Sequence, residues 1–256
     1  MDNEFAAAIV MLPKTHQVLY EFKPNKPHTA ASLTKLAGAM AFLKKPVTSW
    51  ERLVTLTKAD EVGGGRLRVS VGTKIPLRDL FYASITASAN NAAMAVARVS
   101  GLSMKAFLAR MNQAAKASGA THTVFYDASG MNPKNTTTAK DMALLAETAF
   151  DIPEIRRAAT VETYPVRIAS AGQVRTIKNT NPLLAAHTGV WVMGGKTGYL
   201  EESMYNFVGR FRPELADGSP ELGKDLIIVV FGAPTKEAQF DTAKRLAQWA
   251  WRTHEF

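Results

Sequence analysis

The chain has 256 residues, 46% of them hydrophobic, a formal charge of +9 and no cysteine. This content buries one substantial core with a smaller lobe attached, rather than several independent domains, and it excludes disulfides and thiolate metal sites in either redox compartment. No run approaches the roughly 18 uninterrupted apolar residues of a membrane span, and Met1, Asp2, Asn3 and Glu4 lack the basic and apolar regions of a signal peptide, so the chain is expected to be soluble as it stands, with any export leader removed. In chain order, strand-like runs at 5–12 and 17–22, joined by a turn at Pro13, Lys14 and Thr15, predict a hairpin. Pro24 and Pro27 break the pattern. From Ser32, the residues Leu33, Leu36, Ala37, Met40 and Leu43 recur at helical spacing, predicting a helix that begins near Ser32 and ends by Pro46. Gly63, Gly64 and Gly65 precede an Ala-rich helical region over 77–99, interrupted around Ser88. Further helices are expected over 103–118, with Ser103 as N-cap and Gly119 as stop, and over 139–150, ending before Pro153. β-Branched, alternating runs follow at 161–168, 174–180, 190–194, 206–212 and 226–231. A last helix over 236–252 turns Phe240, Ala243, Leu246, Ala247 and Ala250 toward a core.

Strands at both ends with helices between them imply an α+β fold, in which the edge and the centre of one sheet come from distant parts of the chain. The expected division is an α/β lobe from about 1–45 and 160–256 and a mostly helical lobe from about 46–159, together forming a single domain over 1–256. The positive charge favours polyanionic partners without choosing among them. Its basic residues are scattered and no RNP-like run is present, so nucleic acid is not an expected partner. His16, His28, His122, His187 and His254 show no metal-ligand spacing and read as surface or hydrogen-bonding residues; no metal or organic cofactor is implied.

Three short motifs carry chemistry. Ser32, Leu33, Thr34 and Lys35 form an SxxK at a helix start, where a three-residue separation puts both side chains on one face. A serine hydroxyl is a poor nucleophile at neutral pH, and a neighbouring amine of lowered pKa serves as its base. The helix N-terminus also favours negative charge developing on a substrate oxygen. Alone, the motif reads first as a serine N-cap beside a surface lysine. Ser88, Ala89 and Asn90, followed by Asn91, interrupt an apolar segment and suggest a turn that projects a hydroxyl and an amide into a cleft, or else a plain helix-to-helix junction. Lys196, Thr197 and Gly198 end a strand-like run whose edge can hydrogen-bond an extended peptide, the lysine and hydroxyl facing a terminal carboxylate. Their plain alternative is an edge strand with a protective lysine. In this order the three form the motif set of penicillin-binding proteins and class A β-lactamases.

The surroundings, AASLTKLAGAM, DLFYASITASANNAAMAVA, FYDASGMN, TTAKDMALLAE, NTNPLL and MGGKTGYL, resemble the D-alanyl-D-alanine carboxypeptidase and endopeptidase family of low-molecular-mass penicillin-binding proteins over nearly the whole chain. The resemblance implies a β-lactamase/transpeptidase-like fold, an antiparallel sheet flanked by helices with an inserted helical lobe. It implies a periplasmic or extracytoplasmic serine peptidase acting on peptidoglycan peptide stems and acylated by β-lactam antibiotics. Ser32 would be the acylated nucleophile, Lys35 its base and Ser88 a proton relay. Asn90, Lys196, Thr197 and Gly198 would bind substrate, and the backbone amides of Ser32 and Tyr199 would form the oxyanion hole.

Three departures stand out. Ala89 replaces a frequent glycine, which requires that its backbone not have positive φ. Glu201, Glu202, Ser203 and Met204 replace a short turn and make the mouth more acidic. Gln239 stands where many family carboxypeptidases have a carboxylate-gripping arginine; Arg66 and Arg68 are candidates to compensate, although their Gly-rich loop is expected to be flexible and solvated. Endopeptidase and carboxypeptidase action are therefore both expected. A β-lactamase, for which no ExxLN-type loop occurs between Asn132 and Arg167, and a non-catalytic penicillin-binding sensor or wall-binding module are the alternatives.

Overall fold

The computed structural model describes residues 4–256. Strands β1 (Ala7–Met11) and β2 (Val18–Phe22) form the predicted hairpin, and β3 (His28–Thr29) leads through a 3-10 turn at Ala31–Leu33 into α1 (Thr34–Leu43). Next come the paired β4 (Leu53–Thr55) and β5 (Lys74–Pro76), then α2 (Leu77–Thr86), α3 (Asn90–Arg98) and α4 (Met104–Ala117). Strand β6 (Thr136–Thr137) pairs with β3 and is followed by α5 (Ala139–Asp151) and α6 (Pro153–Thr160). The hairpin β7 (Thr163–Ile168) and β8 (Gln173–Lys178), the long strands β9 (Val190–Leu200), β10 (Met204–Pro213) and β11 (Leu226–Ala233), and α7 (Lys236–Thr253) complete the chain.

The main sheet is antiparallel, in the order β2-β1-β11-β10-β9. Its first hairpin docks on its last strand, with Ile9 opposite Val229, so the two ends of the chain meet in the centre as the segment order implies. Both faces of β11 are covered, which is why its sequence is a nearly continuous apolar run instead of an alternation. Ile227, Val229 and Phe231 join Ile9 and Met11 against helices of the larger core, which also holds Leu36, Met142 and Phe150. Ile228 and Val230 point the other way and, with Ala8, Val10 and Phe207, pack against Phe240, Ala243 and Leu246 of α7. Helix α7 starts where the Thr235 hydroxyl accepts the Ala238 N–H at 3.1 Å. Helix α1, buried at nine of its ten positions, runs through the larger core against α4, α5 and α3.

Two elements depart from the sequence reading, each for a physical reason. Pro153 starts α6 instead of merely ending α5, because its fixed φ and missing N–H suit a first helical turn. Strand β9 continues through Gly194 and Gly195 to Leu200. A Cβ at Gly194 would lie 2.5 Å from the Phe150 ring, and one at Gly195 would lie 2.7 Å from Asn181 Nδ2. These glycines admit close packing without ending the strand. Among the described residues no helix is long and apolar enough to cross a membrane.

Candidate active site

Ser32 sits in the 3-10 turn ahead of α1, directly after Ala31, whose φ of +48° is unusual for a residue with a side chain. One turn later Lys35 is 1% exposed, and its Nζ lies 2.7 Å from Ser32 Oγ, 2.7 Å from Asn90 Oδ1 and 2.5 Å from the Ser129 carbonyl oxygen. Burial pushes its pKa down to about 7, against an opposing pull from Asp127. As an ammonium, Lys35 donates to all three neighbours. As a neutral amine it has two N–H groups for the two obligate acceptors, the Ser129 carbonyl and the Asn90 amide oxygen, and its lone pair is left for the Ser32 hydroxyl. The Asn90 amide cannot reverse without loss, because its Nδ2 donates to the Gly63 carbonyl at 2.8 Å. The arrangement therefore sets an amine lone pair against a serine hydroxyl.

A turn between α2 and α3 carries Ser88 at φ +56°, while Ala89 sits at φ −68°. The strained residue is the serine, so alanine at 89 meets the condition its substitution for glycine imposes. Lys196 reaches the turn from β9, its Nζ donating to Ser88 Oγ at 2.8 Å and to the Thr197 carbonyl at 2.9 Å. At 1% exposure, Lys196 is not the solvent-facing guard of an edge strand. Burial, and then the nearby Lys35, holds its pKa well below the ordinary lysine value. Strand β9 is nonetheless the sheet edge, as the peptide-pairing idea requires. The Thr197 hydroxyl donates to Thr180 Oγ1 at 2.7 Å, and a Cβ at Gly198 would stand 3.1 Å from the Ser32 nitrogen. The backbone at Gly198 thus runs beside the turn that carries Ser32. These groups border a cleft of about 450 Å³, lined by Ser32, Ser88, Asn90, Thr197, Tyr199 and Gln239 among others. The sites named from sequence are together, Lys35 and Lys196 lying just beneath its floor.

Other parts of the site escaped the motif reading. Asp127 accepts from Gly130 N at 2.7 Å, Asn132 N at 2.9 Å, Ser129 Oγ at 3.1 Å and Asn135 Nδ2 at 2.8 Å, shaping the loop that presents the Ser129 carbonyl to Lys35. Asn135 in turn reaches Thr34 Oγ1 at 3.2 Å. The FYDASGMN block is the visible signal for this loop, but not for its partners. The Gly-rich loop differs from its expected flexibility. Asn90 N donates to the Gly65 carbonyl at 2.7 Å, and Asn91 pairs with the N–H and C=O of Leu67, both at 2.9 Å. Glu201 does border the cleft, but Lys236 does too, so the mouth carries both signs. Gln239 is 2% exposed, with Nε2 donating to the Lys236 carbonyl at 3.0 Å and Oε1 without a hydrogen-bond partner.

The sequence profile of the D-alanyl-D-alanine carboxypeptidase family matches residues 2–235. The chain belongs to that family. It is a serine peptidase of the D-alanyl-D-alanine carboxypeptidase and endopeptidase group. It is similar to a D-alanyl-D-alanine endopeptidase of Pseudomonas aeruginosa, with 29% identity over 95% of this chain and 76% of the relative. A second D-alanyl-D-alanine endopeptidase, from Haemophilus influenzae, is 31% identical over 79% of this chain and 69% of the relative. In three dimensions it resembles a Streptomyces DD-transpeptidase with a TM-score of 0.85 at 24% identity, over 97% of this chain and 98% of the other. That likeness establishes the expected transpeptidase-like fold.

Proposed function

We propose that this protein hydrolyses D-alanyl peptide bonds of peptidoglycan stems through an acyl-enzyme on Ser32, with the whole chain acting as one catalytic domain. The contact that carries the reading is the 2.7 Å approach of Lys35 Nζ to Ser32 Oγ in a setting that lowers the lysine pKa to about 7. Lys35 takes the hydroxyl proton as Oγ bonds to the D-alanyl carbonyl carbon. The resulting oxyanion is held by the amides of Ser32 and Tyr199. Collapse breaks the C–N bond as the proton held by Lys35 passes by way of Ser88, whose Oγ is held by Lys196, to the leaving amine. Water then cleaves the ester and frees Ser32. Asn90 orients Lys35, while Thr197 and Gly198 let the peptide lie along β9. β-Lactams, as strained amides, would acylate the same oxygen. Peptidoglycan as substrate makes the working compartment extracytoplasmic, periplasmic where there is an outer membrane, and nucleic acid has no part in this reading.

Cross-link cleavage is favoured over release of terminal D-alanine. At the position of the carboxylate-gripping arginine stands Gln239, neutral and buried, whose one unpartnered atom is an acceptor. An acceptor does not attract a carboxylate. Lys236 keeps one cation at the rim, so carboxypeptidase action is reduced and not abolished. The names of the two bacterial endopeptidases similar to this chain support the same preference. The test is to incubate the protein with cross-linked muropeptide dimers and with D-Ala-D-Ala pentapeptides, following monomers and free D-alanine. Ser32→Ala should lose both reactions and the penicillin adduct; a β-lactam mass on that variant refutes the assignment. An adduct lasting hours marks a peptidase, one lasting seconds a β-lactamase.

A further inference from the structure

Beside the cleft lies a second basin, about 740 Å³, lined by Glu61, Arg66, Arg68, Val69, Ser70 and Val71 among others. Gly64, Gly65 and Ala87 border both cavities, so a peptide leaving the cleft across the Gly-rich loop enters the basin directly. The loop is held by residues of the site itself. Asn90 grips the carbonyls of Gly63 and Gly65 at 2.8 and 2.7 Å, and Asn91 clamps Leu67. Leu67 is buried, whereas Arg66 and Arg68 on either side are exposed.

The charges there do not balance. Arg66 pairs with Glu61 at 3.2 Å, and the other Glu61 oxygen accepts from Asn91 Nδ2 at 2.8 Å. Arg175 of β8 donates to the Arg68 carbonyl oxygen and adds a third guanidinium. Among the described residues the Arg68 side chain has no hydrogen bond and no ion pair. A planar guanidinium fork on a fixed loop, with its donors free, matches a carboxylate.

We propose that this basin is a substrate subsite for a carboxylate carried by the stem peptide ahead of the D-alanyl pair, with Arg68 as the contacting residue and Arg66 and Arg175 adding field. This rests on the peptidase reading above. Asn91, whose side chain hydrogen-bonds Leu67 of the loop and Glu61, is a positioning residue for it.

The experiment uses two peptides ending in D-Ala-D-Ala that differ only in a carboxylate or a carboxamide on the side chain before the D-alanyl pair. D-Alanine release gives kcat/KM, and penicillin acylation of Ser32 checks that the nucleophile is intact. Wild type should prefer the carboxylate peptide by about tenfold, and the preference should shrink as salt rises. Arg68→Ala should bring that peptide down to the carboxamide rate, with the carboxamide rate and penicillin acylation within about twofold of wild type, and Arg68→Glu should reverse the preference. Equal handling of both peptides by wild type, or an unchanged preference in Arg68→Ala and Arg68→Glu, overturns the subsite alone. Failure to cleave either peptide and cross-linked muropeptide dimers alike, despite penicillin acylation, overturns the peptidase reading and the subsite with it.

Discussion

Replacing Lys35 with methionine should make the protein catalytically dead and, at low pH, relatively more stable. Lysine at this site goes from a pKa of 10.5 when solvated to about 7 in the fold. Across that window the unfolded chain binds the extra proton, so burying the amine opposes folding, and the penalty is full below the folded pKa and fades as pH rises toward the unfolded one. From these two values, linkage gives a penalty of about 5 kcal/mol at about pH 6 and about 2 kcal/mol at about pH 9. Methionine removes that term. It also strips Asn90 Oδ1, the Ser129 carbonyl and Ser32 Oγ of a partner, at a cost of about 1–3 kcal/mol for each buried acceptor left unpaired, but this cost does not vary with pH. The stability difference, Lys35→Met minus wild type, should therefore move in favour of the variant by about 2–3 kcal/mol on going from about pH 9 to about pH 6. Removing the Lys35 charge also relieves Lys196, which adds with the same sign. Urea unfolding of both proteins at the two pH values measures the change. A difference that stays flat or runs the other way would refute the claim that Lys35 is destabilised by burial.

The acylation rate with a fluorescent penicillin should climb with pH through about 7, and at about two units below that value should be about a hundredfold under its plateau, because only about one lysine in a hundred is then neutral; a rate that falls with rising pH would remove Lys35 as base. Gly130→Ala should cost more than about 2 kcal/mol in urea unfolding and abolish acylation, since the new Cβ would stand 2.2 Å from the Ala31 oxygen at φ +90°. Gly63→Ala, at φ +82° with nothing within 4 Å, is the matched control and should cost only about 1–2 kcal/mol. Gln239→Arg should raise terminal D-alanine release relative to dimer cleavage by about tenfold, measured on mixed muropeptides by chromatography.

What the sequence revealed about this protein depended on how local the cause was. The hairpin, α1, α4 with its Ser103 cap and α7 follow from periodicity and capping within one segment, and all were legible. The pairing of Ser32 with Lys35 is also local, three residues apart on one turn. Helix α6 was missed because Pro153 reads equally as a stop and as a first-turn residue, and only the helix packing around Ile155 and Ala158 decides. The extension of β9 through two glycines depends on Phe150 and Asn181 filling the space of the absent side chains, a relation between distant segments. Asp127 and Asn135 were invisible as site residues for the same reason: their hydrogen bonds show nothing periodic, and the Thr34 contact spans 101 positions. The Gly-rich loop looked flexible by composition, and is tied down by Asn90 and Asn91 from a distant helix.

The two buried amines explain why the site is built around a pair of serines. Lys35 touches Ser32 Oγ and Lys196 touches Ser88 Oγ, and the charge on Lys35 depresses Lys196 in turn. With both lysines desolvated, the cleft resists holding two positive charges at once. On the proposed reading, attack by Ser32 loads its proton onto Lys35 and raises the electrostatic strain on Lys196. Handing a proton to the leaving nitrogen relieves it. The same burial that weakens the fold at low pH thus drives the proton out of the cleft in the step that breaks the C–N bond, which ties the stability cost of Lys35 to its chemical use.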